Sequence, residues 1–176
     1  MNRQEILNNK NIKLKTKTRN IAKWLIENPK KISDLITFAK KSKDPIKATC
    51  IEAIEFATKT NPKIANPICL KFVYSNLNEK TPRVKWESAK VIGNIAHLYP
   101  GKLNTAIAHL LTNTEHTGTV VRWSAAFALA EIIKLKTKLN KALVPAAESI
   151  IKREEKKQHQ KNLSGGSQKN RLCLID

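Results

Sequence analysis

Two short runs in this chain carry residue types that contact anions and flat rings: Lys85-Trp86 and Arg122-Trp123, 37 residues apart. A third cation, Lys47, stands 38 residues before Lys85. On a helical wheel Trp86 shares a stripe with Lys90, Gly93 and His97, and Trp123 shares one with Phe127, Ala130 and Lys134. Aromatic rings beside cations on one stripe suit base stacking and phosphate contact.

Signatures of catalysis are missing from the sequence. His97, His109, His116 and His159 have no spacing suited to a shared metal, and no cysteine or carboxylate pattern completes one. There is no phosphate-cradling glycine loop and no Gly-x-Ser-x-Gly elbow, and Ser164-Gly165-Gly166-Ser167 has linker composition. Three cysteines (Cys50, Cys69 and Cys173) argue against a disulfide framework, and the first two sit in apolar helical patterns. Cys173-Leu174-Ile175-Asp176 has the layout of a prenylation box, but aspartate is not among the last residues prenyltransferases usually accept. No cofactor is expected.

Charge sets this chain apart. Its 176 residues hold 33 Lys and Arg against 14 Asp and Glu, a formal +19. A field of that size concentrates anions: nucleic acid, acidic proteins or anionic surfaces. An AT-rich coding sequence would explain the dominance of lysine over arginine, but not the shortage of acids. The segment 164–176 carries little of the excess, which therefore belongs to the folded body. No apolar run approaches the roughly 18 residues of a membrane span, so a cytoplasmic location without integral membrane contact is expected.

The elements that position these residues are helices. Val84-Lys85-Trp86-Glu87-Ser88-Ala89-Lys90-Val91-Ile92-Gly93-Asn94-Ile95 aligns with residues 121–132 at the 37-residue offset, small or apolar against small or apolar. A diverged copy starts at Pro45-Ile46-Lys47. Lys102-Leu103-Asn104-Thr105-Ala106-Ile107 resembles Lys138-Leu139-Asn140-Lys141-Ala142-Leu143, and Lys63-Ile64 opens the equivalent stretch earlier. Val84, Ser88, Val91 and Ile95 form the stripe of a buried helix face. The periodicity predicts helices near 14–27, 31–41, 45–60, 63–78, 82–98, 102–112, 119–136 and 139–161, with a short one at 3–9. Asp44-Pro45 and Thr81-Pro82 read as an N-cap followed by proline at the first helical position. Loops this short make successive helices antiparallel neighbours. The basic stretch 10–19 reads as a solvated helix start, and 164–176 as a flexible tail.

Pro-x-Val-[Lys/Arg]-Trp-x-[Ser/Ala]-Ala-x-x-[Ile/Leu]-[Gly/Ala]-x-Ile resembles the second helix of a HEAT repeat, of the armadillo-like superfamily. The likeness covers residues 82–135 well and 45–80 more loosely. It implies an all-α, right-handed α-solenoid of antiparallel helix pairs, with repeats near 31–60, 63–98 and 102–136, capping helices at 14–27 and 139–161, and a domain spanning 1–163. It also implies a structural reading of the candidates: the cation after the valine pairs with an acid of the preceding turn, which Glu79, six residues before Lys85, offers and Lys41 and His116, at the equivalent places for Lys47 and Arg122, do not; and the tryptophans pack against the neighbouring repeat. Binding is the usual work of that fold. The expectation is a non-enzymatic scaffold that docks an anionic partner, acidic protein or nucleic acid, through Lys47, Lys85, Trp86, Lys90, His97, Arg122, Trp123, Phe127 and Lys134. The alternative is a divergent enzyme resembling the HEAT-like DNA alkylation repair family, which uses a basic groove with tryptophans and an aspartate. Asp34 and Asp44 are far from Trp86 and Trp123, leaving Glu87 or Glu131 as substitutes. If charge served solubility alone, it would be spread evenly around the fold.

Overall fold

The computed structural model describes residues 6–7, 9 and 11–163, with side chains as far as Lys156. The described residues are all-helical, with no strand among them. The helices are α1 (Leu14–Glu27), α2 (Ile32–Lys41), α3 (Ile46–Thr60), α4 (Pro67–Asn76), α5 (Pro82–Ile95), α6 (Asn104–Asn113), α7 (Thr119–Ile133) and α8 (Asn140–Leu163). Tight 3-10 turns occupy Pro29–Lys31, Pro62–Ile64, Ala96–Leu98 and Pro100–Lys102. Ile6 and Leu7 are helical and buried and Asn9 is not helical, while residues 3–5 and 8 of the 3–9 expectation and the segment 164–176 lie outside the described residues.

Each helix buries the stripe its spacing dictates. Val84, Ser88, Val91 and Ile95 of α5 are buried together, widened by Ala89 and Ile92. On α7 the matching stripe is Val121, Ala125, Ala128, Leu129 and Ile132. Cys50 and Cys69 are buried within this core and are in no disulfide, and burial pushes the Cys69 thiol up to about 12. Each fully buried Ile or Leu contributes about 1.5–3 kcal/mol over the same side chain left in water.

Several boundaries differ from expectation, each for a local reason. The 63–78 helix begins only at Pro67, because Asn66 Oδ1 accepts the Cys69 N–H at 2.9 Å and Pro67 fills the first helical position. Pro62-Lys63-Ile64 forms a separate turn ahead of it. Asp44 is not an N-cap: Pro45 holds that place before α3, and Asp44 Oδ2 accepts from the Thr81 hydroxyl. Thr81 is the N-cap residue of α5, but its hydroxyl makes this cross-link rather than a cap. Helix α7 stops at Ile133, and Lys136 takes a left-handed backbone with φ 52°.

Helices α1, α3, α5 and α7 pack in a row, each against the next. Helices α2, α4 and α6 form a second, more thinly packed row behind them, with α8 against α7. Two sets of turns bound the rows. At one edge, called the proline edge, α1, α3, α5 and α7 end. There Asn66 Nδ2 donates to Ser33 Oγ at 2.9 Å and the Tyr99 hydroxyl to the Ala65 carbonyl at 2.8 Å. At the opposite edge Asn113 Nδ2 donates to the Leu77 carbonyl at 3.0 Å, and Arg153 pairs with Glu115. Both edges are thus stitched between successive helix pairs by side chains.

Candidate binding face

Lys47, Lys85 and Arg122 do stand near the starts of α3, α5 and α7, but all three are occupied within the fold. Lys47 Nζ pairs with Glu79 at 2.5 Å, so Glu79 serves Lys47 and not Lys85. Lys85 Nζ donates to the Leu77 carbonyl at 3.0 Å and to Asn113 Oδ1 at 3.1 Å, closing the C-terminal end of α4. Desolvation lowers the Lys85 ammonium from its ordinary value. Arg122 donates to the carbonyls of His116 and Thr117 at 3.0 and 2.9 Å and pairs with Glu154 at 3.2 Å. These three cations join successive helix pairs at the opposite edge.

The remaining candidates line the α3–α5–α7 part of the front row. Trp123 and Phe127 on α7 are 45% and 42% exposed, and Phe56 on α3, which sequence reasoning missed, is 42% exposed. The Phe127 ring lies over Gly93 of α5, where a Cβ would come within 2.5 Å of its edge. Gly93 is therefore a close-approach position and not an open part of the stripe. Trp86 is half-buried, and its indole Nε1 donates to Glu87 Oε1 at 2.7 Å. His97 is exposed just past the end of α5, and Lys134 pairs with Glu131 at 2.6 Å near the end of α7.

Beneath Trp86 lies a charged cluster between α3 and α5. Glu55 and Glu87 are 5% and 4% exposed, and Lys90 Nζ stands 3.7 Å from Glu55 and 2.9 Å from Glu87. Asn94 Nδ2 donates to the Glu55 carbonyl oxygen of the backbone and to Thr58, holding the helices in register. Burial pushes the Glu55 carboxyl above its ordinary value; Lys90 opposes this, Glu87 adds to it, and Lys59 and Asn94 oppose it. One helical turn earlier, Glu52 accepts from Thr18 of α1 at 2.8 Å and pairs with Arg83 of α5 at 2.5 Å. Glu55 had a legible signal, since it sits on α3's own buried stripe with Ile51, Ile54 and Thr58. Glu87 likewise falls between Val84 and Val91 on the stripe of α5.

The structure therefore brings Trp86, Lys90 and Phe127 together around α5, sets Trp123 on the neighbouring α7, and separates Lys47, Lys85 and Arg122 from them. The acids of the face, Glu52, Glu55, Glu87 and Glu131, all have cationic partners, which leaves the exposed rings as its distinctive chemistry. A cleft of about 690 Å³ lies elsewhere, between α6 and the start of α8, lined by Ile107, Leu111, Leu139 and Leu143. Among the described residues no group of His, Cys, Asp or Glu is arranged to hold a metal ion, and no helix is long and apolar enough to cross a membrane. No protein-family model matches the chain, and no curated protein matches it in sequence.

Proposed function

We propose that the chain is a non-enzymatic interaction module, a HEAT-like α-solenoid that docks an anionic partner, nucleic acid or acidic protein, on its α3–α5–α7 face. The solenoid reading draws on the 37-residue sequence repeat, on the regular alternation of front-row and back-row helices, and on cross-links that recur between successive pairs. The observation that carries the docking role is the exposure of Phe56, Trp123 and Phe127 on one face, with Lys59, Lys90 and Lys134 among them. Rings left open to water on a monomer mark a surface that is covered in use. Lysine steers an anion to it, and the rings supply local packing.

The test is a titration against an oligonucleotide and against polyglutamate at two salt concentrations, with wild type and the Trp123→Ala/Phe127→Ala variant. The expected outcome is salt-dependent binding of at least one polyanion, weakened about tenfold or more by the double substitution. Binding unchanged by the substitution, or none at low salt, overturns the reading.

A second reading rests on Glu87, a buried carboxylate directly under Trp86. It would make the chain a nucleic-acid-processing enzyme of the alkylation-repair type. Both Glu87 oxygens already accept bonds, from Trp86 and Lys90, which fits holding those two residues in place better than moving a proton. Base release from an alkylated oligonucleotide, lost in Glu87→Gln, would favour the enzyme.

A further inference from the structure

The geometry points to single-stranded nucleic acid as the anion, its phosphates crossing the proline edge and its bases turned onto the rings of the face; this rests on the interaction-module reading above. Lys30, Lys63, Lys102 and Lys138 recur at that edge, one in the turn after each of α1, α3, α5 and α7. All four are exposed, and among the described residues none has an ion-pair partner. Neighbouring packed helices lie about 8–10 Å apart, so the turns that carry the four lysines recur at about that interval along the edge. That is the layout of a track for a linear polyanion, and a lysine ammonium contacts phosphate as a point charge without reading base edges.

Acids do not interrupt the track. In the four turns the acidic residues are Glu27, Asp34 and Glu131, and each is held by a lysine: Lys23, Lys31 and Lys134 respectively. The opposite edge differs, because Asp44, Glu79, Glu115 and Glu154 are interleaved with its cations. The rings decide among linear polyanions. Phe56 stands four residues before the end of α3 and Phe127 six before the end of α7, about 6 and 9 Å of helix in from the edge that carries the track. An unpaired strand presents flat bases to such rings. A duplex keeps its bases stacked inside, and an acidic polypeptide offers charge without planar faces.

The experiment compares three proteins carrying the full chain: wild type, Lys63→Gln/Lys102→Gln/Lys138→Gln at the proline edge, and Lys41→Gln/Lys43→Gln/Lys80→Gln at the opposite edge. The two variants lose equal charge at exposed lysines, and thermal melts confirm that both are folded. Binding to labelled oligothymidine, a mixed-sequence duplex and polyglutamate is read by anisotropy across a salt series. Wild type is expected to bind oligothymidine most tightly. The proline-edge variant should lose at least about tenfold and flatten the logarithmic salt slope by about 2, at roughly 0.7 per phosphate contact on a single strand. The opposite-edge variant should lose less than about threefold. Equal losses in the two variants, or preference for duplex or polyglutamate, would overturn the single-strand assignment while leaving the interaction module standing. Absence of binding to all three polyanions at low salt would overturn both.

Discussion

Lys85 and Trp123 are each one residue from their counterparts in the Lys/Arg-Trp pairs, yet the structure gives them different work. Lys85 fills the end of α4 by donating to Leu77 and Asn113, whereas Trp123 is exposed to water. Lys85→Met should therefore destabilise the fold by about 1–3 kcal/mol, since it leaves the buried Asn113 Oδ1 without its donor, while the Leu77 carbonyl keeps the Asn113 amide. Its effect on polyanion binding at a temperature where it is folded should be slight, and urea melts beside the titrations separate the two. Glu55 makes a second residue-scale prediction. Burial raises its carboxyl, so the proton is held more tightly in the folded than in the unfolded chain. The stability this contributes is fully present below the unfolded value and is lost as pH rises through the folded one. Urea denaturation at a series of pH values should show wild type losing stability relative to Glu55→Gln across the interval just above the ordinary carboxylate range. Parallel curves would mean that Lys90 fully compensates the burial.

Packing between α5 and α7 depends on one side chain's absence. Gly93 costs the last turn of α5 up to about 1 kcal/mol in helix propensity, and the space it leaves is taken by Phe127. In a Phe127→Ala background, Gly93→Ala should recover about 1 kcal/mol of stability. In wild type the gain should vanish, because the new Cβ drives the ring outward. A double-mutant cycle by chemical denaturation measures this coupling. The helices themselves were legible in sequence wherever the period-3.6 stripe was clean: 14–27 has the same bounds in the structure, and α2, α3 and α5 start within a residue of expectation. Boundaries went astray where two prolines compete. Asn61-Pro62 and Asn66-Pro67 both look like helix starts and both asparagines cap: Asn61 accepts from the Lys63 N–H at 3.2 Å and opens only a 3-10 turn, while Asn66 accepts from the Cys69 N–H at 2.9 Å and opens α4. Asp44 misled for a related reason: a residue able to cap a helix was instead used by Thr81 of the next pair, a tertiary bond that no local pattern reveals.

Over the whole molecule, charge sorts into cations that join helix pairs and cations that face water alone. Sequence showed the excess and its periodic recurrence at Lys47, Lys85 and Arg122, but not that these three are engaged within the fold. Which periodic cations are engaged depends on carboxylates and carbonyls some 30 residues away, as with Glu79 for Lys47 and Glu154 for Arg122. The proline-edge series was written in the same repeat, at Lys63, Lys102 and Lys138, but only the structure shows that these lysines have no ion-pair partner among the described residues. The aromatic half of the site was better exposed to sequence reasoning, since Trp86, Trp123 and Phe127 fall off the buried stripes; Phe56 does the same on α3 and was overlooked beside Glu55. The proposed account needs rings and lysines to act on one strand at once. With Trp24→Phe and Trp86→Phe, Trp123 remains the sole tryptophan and reports on the face directly. The account predicts that its emission is quenched by oligothymidine in step with anisotropy-measured binding, and that the quenching is reduced in the proline-edge lysine variant. Oligothymidine that binds fully while Trp123 emission stays unchanged would contradict it.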